Sequence, residues 1–264
     1  MYDLPSYVWA LVLAGVIGIP AATCSALYRS AVAAGVGRRA AAAVTATTAA
    51  VLGGWLVLSG LLARAGVYRQ DSGEAVPWLL VAFAVFLIAL LLATRIPLVS
   101  RILADPGTPA RLVLPHTLRV VGVLFLIVMA QGHLPAAFAL PAGLGDIAIG
   151  VAAPFVAHWL AHGTDRAGAV TGAVRFNVLG LLDLAVAVSI AFLLGPFGPF
   201  EVMPSTAPLR VLPLTLIPTV AVPLALALHI VSLRRLRTAA RLEEKWRKDR
   251  PRYSPKASRS IEAE

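Results

Sequence analysis

The chain has 264 residues, of which 59% are hydrophobic and only 14% are charged, and its formal net charge is +10. Soluble domains are about 45–50% apolar and about 25% charged, so this composition excludes an ordinary soluble domain and also a disordered chain. The single cysteine, Cys24, excludes an intramolecular disulfide scaffold. The composition therefore predicts a membrane protein.

Uncharged runs predict an all-α fold, a seven-helix transmembrane domain over residues 1–233. About 20 apolar residues cross the roughly 30 Å hydrocarbon core, and charge-free runs of that length lie towards both ends of the chain. Charges interrupt the apolar runs in the middle of the chain, so prolines are used there to predict where helices begin. Pro115 and Pro141 are expected in the first turns of helices four and five, because a backbone N–H in the first turn has no acceptor within the helix. The predicted spans are residues 6–27, 40–63, 76–94, 115–132, 141–161, 175–194 and 211–233. Residues 234–264 are predicted to form a basic tail that is helical at first and then disordered.

The distribution of basic residues predicts how this bundle is oriented. Of the 23 lysines and arginines, 20 fall on the side of the seven spans that also holds the C-terminus. Cytoplasmic loops collect lysine and arginine, so the N-terminus is expected outside and the C-terminus in the cytoplasm. The expected partners are the lipid bilayer and, at the basic tail, anionic lipids. We expect no nucleic acid, and the alanine- and arginine-rich composition suits a bacterial cytoplasmic membrane.

Ionisable residues inside the predicted spans are the candidates for function, because the membrane makes them costly. Asp183 is the clearest, since it lies eight residues, or about 12 Å, into the predicted sixth helix. We expect a polar site facing the cytoplasm, in which this carboxylate pairs with a guanidinium. The candidate ligand-binding residues are Asp183, Arg175, Arg119, Asn177, His229 and His116. The alternative is that the arginines extend to the membrane interface while Asp183 is neutral or hydrogen-bonded within its own helix.

A second, smaller polar group is expected on the outer side of the bundle. Its members are Asp146, Gln131 and His133. Ala142, Gly143 and Gly145, which precede the aspartate, have little side-chain bulk and allow a neighbouring helix to approach closely. We predict neither a metal nor a cofactor, because His158 and His162, although four residues apart, have no carboxylate between them.

Two segments resemble those of a family of uncharacterised bacterial multi-pass membrane proteins. They read ALPAGLGD at residues 139–146 and NVLGLLD at residues 177–183. Further similar segments lie at residues 119–122, 131–135, 212–219 and 222–223, followed by His229. The resemblance implies a location in a membrane and no assigned activity.

These features favour a non-enzymatic membrane protein that binds or transports a small molecule or ion through the polar site. A membrane-embedded enzyme acting on a lipid or isoprenoid is the first alternative, with Asp183 or Asp146 as general acid and His229 or His133 as its partner. An accessory or sensor subunit, whose tail docks another protein, is the second.

Overall fold

The computed structural model describes residues 4–69, 76–195, 199–200 and 202–249. Every regular element in these residues is helical, which confirms the all-α class. The α-helices are α1 (Ser6–Ala33), α2 (Arg38–Arg64), α3 (Trp78–Ala93), α4 (Pro97–Leu103), α5 (Thr108–Val113), α6 (Val123–Ala130), α7 (Ala136–His162), α8 (Arg166–Leu193) and α9 (Val222–Asp249).

Three segments with a different helical winding complete the fold. They are the 3-10 helices Leu114–Gly122 and Ala207–Arg210, and the π-helical turn Ile217–Ala221. The first joins α5 to α6 in one helical run, Thr108–Ala130, and the π-helical turn leads directly into α9. A nine-residue 3-10 segment is unusually long, and such departures inside helices often mark functional sites.

Six helices are long and apolar enough to cross a membrane, and there are seven if α3 and α4 form one span. Those two helices are bent by 80° at the residues between them. The outer surface carries large apolar side chains: Val57 and Leu92 are 63% exposed and Phe155 is 71% exposed. A surface of this kind suits contact with lipid, so the fold is compatible with a multi-pass membrane protein.

The helical run that holds the predicted fourth span begins at Thr108, seven residues earlier than predicted. The turn before it is closed by the side chain of Asp105, which accepts a hydrogen bond of 3.1 Å from the Gly107 N–H. Pro115 therefore lies inside the run, where it has no N–H to donate to the carbonyl four residues earlier. The run narrows to a 3-10 helix at this point.

Helices α7 and α8 also begin earlier than predicted, by five and nine residues. In α7 the first residue is Ala136, so Pro141 lies inside the helix. In α8 the first residue is Arg166, because the carboxylate of Asp165 accepts a hydrogen bond of 2.9 Å from Gly168 N–H and caps the helix. The start of α7 was missed because Pro141 was expected in its first turn, and the start of α8 was missed because charged residues at a helix end interrupt an uncharged run.

The last span begins later than predicted, at the π-helical turn rather than at residue 211, and its helix continues to Asp249. Pro223 has no N–H for the carbonyl of Thr219, four residues earlier. That carbonyl instead accepts a hydrogen bond of 2.8 Å from Trp55 Nε1 on α2. A neighbouring helix thus satisfies the group that the proline leaves unpaired.

Two helical runs form the centre of the bundle. In the most apolar stretch of Ile217–Ala239, 67% of the residues are buried. The buried share of the corresponding stretch is 50% in Thr108–Ala130 and 11% in α2. Helix α7 packs along the long 3-10 segment and α8, and α1 covers the same segment from another direction. The long 3-10 segment is therefore enclosed by helices, which places its polar side chains inside the protein.

Candidate functional site

A buried arginine lies at the middle of the bundle. Arg119 is the twelfth of the 23 residues of the run Thr108–Ala130, and its side chain is 3% exposed. It is part of the long 3-10 segment between α5 and α6. A charge at this depth must be compensated by partners within the protein.

Three helices supply those partners. Arg119 Nε donates to Asp146 Oδ1 of α7 at 2.7 Å, and Nη2 donates to Asp183 Oδ2 of α8. Its Nη1 lies 3.2 Å from His229 Nε2 of α9. We call these four residues the Arg119 centre. Its hydrogen bonds tie the 3-10 segment to α7, α8 and α9 at one point.

The hydrogen bonds of His229 define its protonation state. A guanidinium can only donate, so Nε2 must accept from Arg119, and the ring proton must be on Nδ1. That nitrogen lies 3.0 Å from Asn177 Oδ1, and the Asn177 amide donates to Ala173 O at 2.8 Å and to Ser232 Oγ at 3.1 Å. His229 is therefore a neutral acceptor that Asn177 holds in one orientation.

A second histidine lies against the first. The rings of His116 and His229 stack with their centroids 3.8 Å apart and their planes 17° apart. Phe176 contacts both rings, at 5.8 Å and 5.5 Å between centroids. His116 is 1% exposed, and among the described residues neither of its ring nitrogens has a hydrogen-bond partner. Buried polar atoms are nearly always paired, so these two ring nitrogens are an exception that needs an explanation.

Glycines allow the helices to approach the Arg119 centre. A Cβ atom at Gly122 would overlap Asp146, one at Gly145 would overlap Asp183, and one at Gly180 would overlap the ring of His229. Each glycine thus faces a side chain of the centre on a neighbouring helix. Close contact between small residues and polar side chains is a common means of helix association in membranes.

The charges of the Arg119 centre do not cancel. Arginine stays protonated, whereas Asp146 and Asp183 each carry a negative charge when ionised. With His229 neutral, the centre then has one excess negative charge in a buried environment, which is unfavourable. One proton on a carboxylate or on His116, or one small monovalent cation, would balance it.

A small cavity adjoins the centre. It measures about 40 Å³, is lined by Arg119, Asp146 and apolar residues of α1 and α9, and includes Gly15 and Ala221 in its wall. A volume of about 10–15 Å³ is enough for one water molecule when polar groups are present. The Arg119–Asp146 pair is therefore in contact with space that a water or a small ion can occupy.

The structure brings together five of the six residues predicted for the main site. They are Asp183, Arg119, Asn177, His229 and His116. Arg175 is exposed on α8 and takes no part in the ion pairs seen among the described residues. Asp183 is the eighteenth of the 28 residues of α8, so its carboxylate lies at mid-helix.

The three residues predicted to form an outer polar group do not form one site in the structure. Asp146 belongs to the Arg119 centre instead, because α7 begins earlier than predicted and the aspartate is the eleventh of its 27 residues. Gln131 lies just after α6, where its Nε2 donates to the hydroxyl of Tyr7 at 2.6 Å. His133 follows in the same turn. Ser232 was not predicted, because a lone serine in an apolar helix does not indicate a polar site.

Among the described residues there is no group of three histidine, cysteine, aspartate or glutamate side chains that could hold a metal ion. His158 and His162 stack on each other, with ring centroids 4.7 Å apart, on the last turns of α7.

The fold and the Arg119 centre define the class: an all-helical protein compatible with multiple membrane spans, with a buried polar site where four helical segments meet. The chain belongs to the DUF8737 family, described as a domain of unknown function, whose family model matches residues 76–237. These residues include the whole Arg119 centre. Neither a curated protein nor a solved structure matches the chain.

Proposed function

We propose that this protein is a membrane protein that moves a small ion across the bilayer, and that the ion is a proton bound at the Arg119 centre. One observation carries the proposal: a single buried guanidinium is shared by two carboxylates, so the centre has one more negative charge than positive. Ionisable residues at such depths in membrane proteins commonly belong to proton relays and ion pathways.

The proton is favoured over a metal cation by the donor groups. A cation would need several oxygen or nitrogen ligands directed at one point. Asp146 and Asp183 instead direct one oxygen each to Arg119, and His229 Nε2 is also directed to it. A proton needs a single acceptor, and either carboxylate has a second oxygen that can receive it.

The two carboxylates offer alternative positions for that proton. Asp146 and Asp183 both bind the Arg119 guanidinium. A proton can therefore leave one carboxylate while another proton binds the other, and α7 and α8 stay joined through Arg119. Asp146 lies at the small cavity, whereas Asp183 faces Gly145 on α7. His116, stacked on His229, is a third acceptor next to the centre.

Proton flux into liposomes tests the proposal. With a pH-sensitive dye inside and an inside-negative potassium diffusion potential, the protein should acidify the lumen faster than protein-free liposomes do. Asp183→Asn and Asp146→Asn should lower the rate to that of protein-free liposomes, because an amide cannot carry the proton.

The matched control is Asp165→Asn, which changes an exposed aspartate at the start of α8 to an equally good helix cap. It should keep the flux of the unmodified protein. The proposal is wrong if the unmodified protein conducts no better than empty liposomes, or if both centre variants conduct as it does.

The location and orientation belong to the same proposal. The bent pair α3 and α4 would form the seventh span, with the bend at the membrane surface. An excess of arginine on one side then supports an outer N-terminus and a cytoplasmic C-terminus in a bacterial cytoplasmic membrane. Arg119 and Arg175 are part of that excess, but Arg119 lies at the middle of the run Thr108–Ala130 and Arg175 is the tenth residue of α8, so neither is a loop residue.

A further inference from the structure

A large cavity lies at one end of the bundle, away from the Arg119 centre. It measures about 690 Å³ and is enclosed by the turn between α4 and α5, the start of α8 and the later part of α9. Cavities of about 300–1,000 Å³ are the usual size for small-ligand sites. A second cavity of about 200 Å³, between the end of α3 and α9, adjoins it and shares Leu103, Arg235 and Thr238 with it.

Arginines line both cavities. Arg166 and Arg235 are in the wall of the large cavity, and Arg95, Arg234 and Arg235 are in the wall of the small one. The hydrogen bonds of Arg235 to Ser100, at 3.2 and 3.4 Å, both use Nη2. These bonds fix the guanidinium between the cavities. They do not use Nε or Nη1.

Two acidic residues that the structure describes near these arginines already have other partners. Asp105 also lines the large cavity, but its carboxylate is 2.5 Å from Arg111 Nη1 and is neutralised by it. Asp165, next to Arg166, accepts the Gly168 N–H and caps α8. The rest of the large cavity is mainly apolar and includes Leu236.

The depth of the cavities matches the headgroup region of a bilayer. Arg166 is the first residue of α8, and Arg235 lies four residues before the end of the candidate span Ile217–Ala239. Basic pockets between helices at this level bind the phosphates of anionic lipids. Arginine forms paired hydrogen bonds with phosphate oxygens, which a diffuse positive surface does not provide.

We propose that these two cavities form a binding site for a phosphate ester, held by Arg166 and Arg235 with Arg95 and Arg234 beside them. The phosphate can come from an anionic phospholipid or from a soluble phosphate ester. The apolar residues of the large cavity suit the glycerol and first acyl carbons of a lipid.

The test measures the melting temperature of the purified full-length protein with added ligand. The probes are phosphatidylglycerol, phosphatidylcholine as the neutral lipid, and glycerol phosphate as the soluble ester. Phosphatidylglycerol should raise the melting temperature and phosphatidylcholine should not. If glycerol phosphate gives an equal shift, the ligand is soluble; if it gives none, the ligand is the lipid.

Three variants separate the site from general electrostatic attraction. Arg166→Gln and Arg235→Gln should each weaken phosphatidylglycerol binding by about tenfold or more, because each removes a charge-assisted hydrogen bond to the phosphate. Arg237→Gln removes the same charge from an exposed position on α9 that lines neither cavity, and it should bind as the unmodified protein does.

A variant that fills the large cavity tests the proposal even if the arginine variants do not fold. Ala167→Trp keeps every arginine but places an indole in the large cavity, and it should reduce phosphatidylglycerol binding. The proposal is overturned if neither phosphatidylglycerol nor glycerol phosphate, the two anionic probes, shifts the melting temperature. It is also overturned if Arg237→Gln weakens binding as much as Arg166→Gln or Arg235→Gln.

Discussion

Replacing Arg119 with methionine should lower the free energy of unfolding by about 3–5 kcal/mol, the usual cost of removing one partner from a buried charge network. Asp146 and Asp183 would be left facing each other without the cation that they share. The loss should become smaller as the pH falls, because protonation removes the charges that then repel. Reversible unfolding in lipid bicelles measures the change.

Two further variants show whether charge is the cause. In Arg119→Met combined with Asp146→Asn and Asp183→Asn, no buried charge is left in the centre, and more than half of the lost stability should return. Arg175→Met removes an exposed arginine from α8 and should change the stability by no more than about 0.5 kcal/mol. A loss from Arg175→Met equal to that from Arg119→Met would contradict the placement of these two residues.

Replacing Gly180 with alanine should lower the free energy of unfolding by about 1–3 kcal/mol, as overpacking of a filled core does. The added Cβ would overlap Cε1 and Nε2 of His229. That ring cannot move aside easily, since it is stacked on His116 and bonded to Arg119 and Asn177. Proton flux should fall with the stability, because Nε2 is the atom displaced.

Gly54→Ala on α2 is the matched control, because nothing lies within 4 Å of a Cβ built there. Alanine is the better helix former by about 0.5–1 kcal/mol, so this variant should be as stable as the unmodified protein or more so. In a His229→Ala background, Gly180→Ala should cost little. Equal costs with and without the ring would show that the two residues do not interact.

The helices could be predicted from sequence more fully than their ends. Long apolar runs indicate where spans lie, but the early starts of α8 and of the run at Thr108 depend on polar turns at Asp165 and Asp105. A search for uncharged runs discards those carboxylates as interruptions. The 80° bend between α3 and α4 falls just before Pro97, the first residue of α4, and a proline disfavours helical geometry at the residue that precedes it.

Most of the main site could be predicted from sequence, but the places of Asp146 and Arg175 could not. The cost of burying charge identifies Arg119 and Asp183 from sequence alone. Asp146 was predicted on the outer side because its helix was expected to begin at Pro141. Arg175 was expected near Asp183, yet eight residues of helix separate them by two turns and about 12 Å.

The glycines of α7 and α8 indicate close helix contacts but not the partners of those contacts. Ala142, Gly143 and Gly145 were expected to allow close helix approach, and Gly145 does face Asp183. Which neighbour a glycine faces depends on how α7 and α8 pack, so the sequence could indicate a close contact without identifying the partner. The same holds for Gly180 and His229.

Infrared spectroscopy of the protein in lipid tests most directly whether the Arg119 centre holds a proton. At neutral pH the unmodified protein should show the C=O stretch of a protonated carboxylic acid. That band should shift in deuterium oxide, and Asp183→Asn or Asp146→Asn should change it while Asp165→Asn leaves it intact. A spectrum without a protonated carboxylic acid at any pH that supports flux would contradict a proton bound between Asp146 and Asp183.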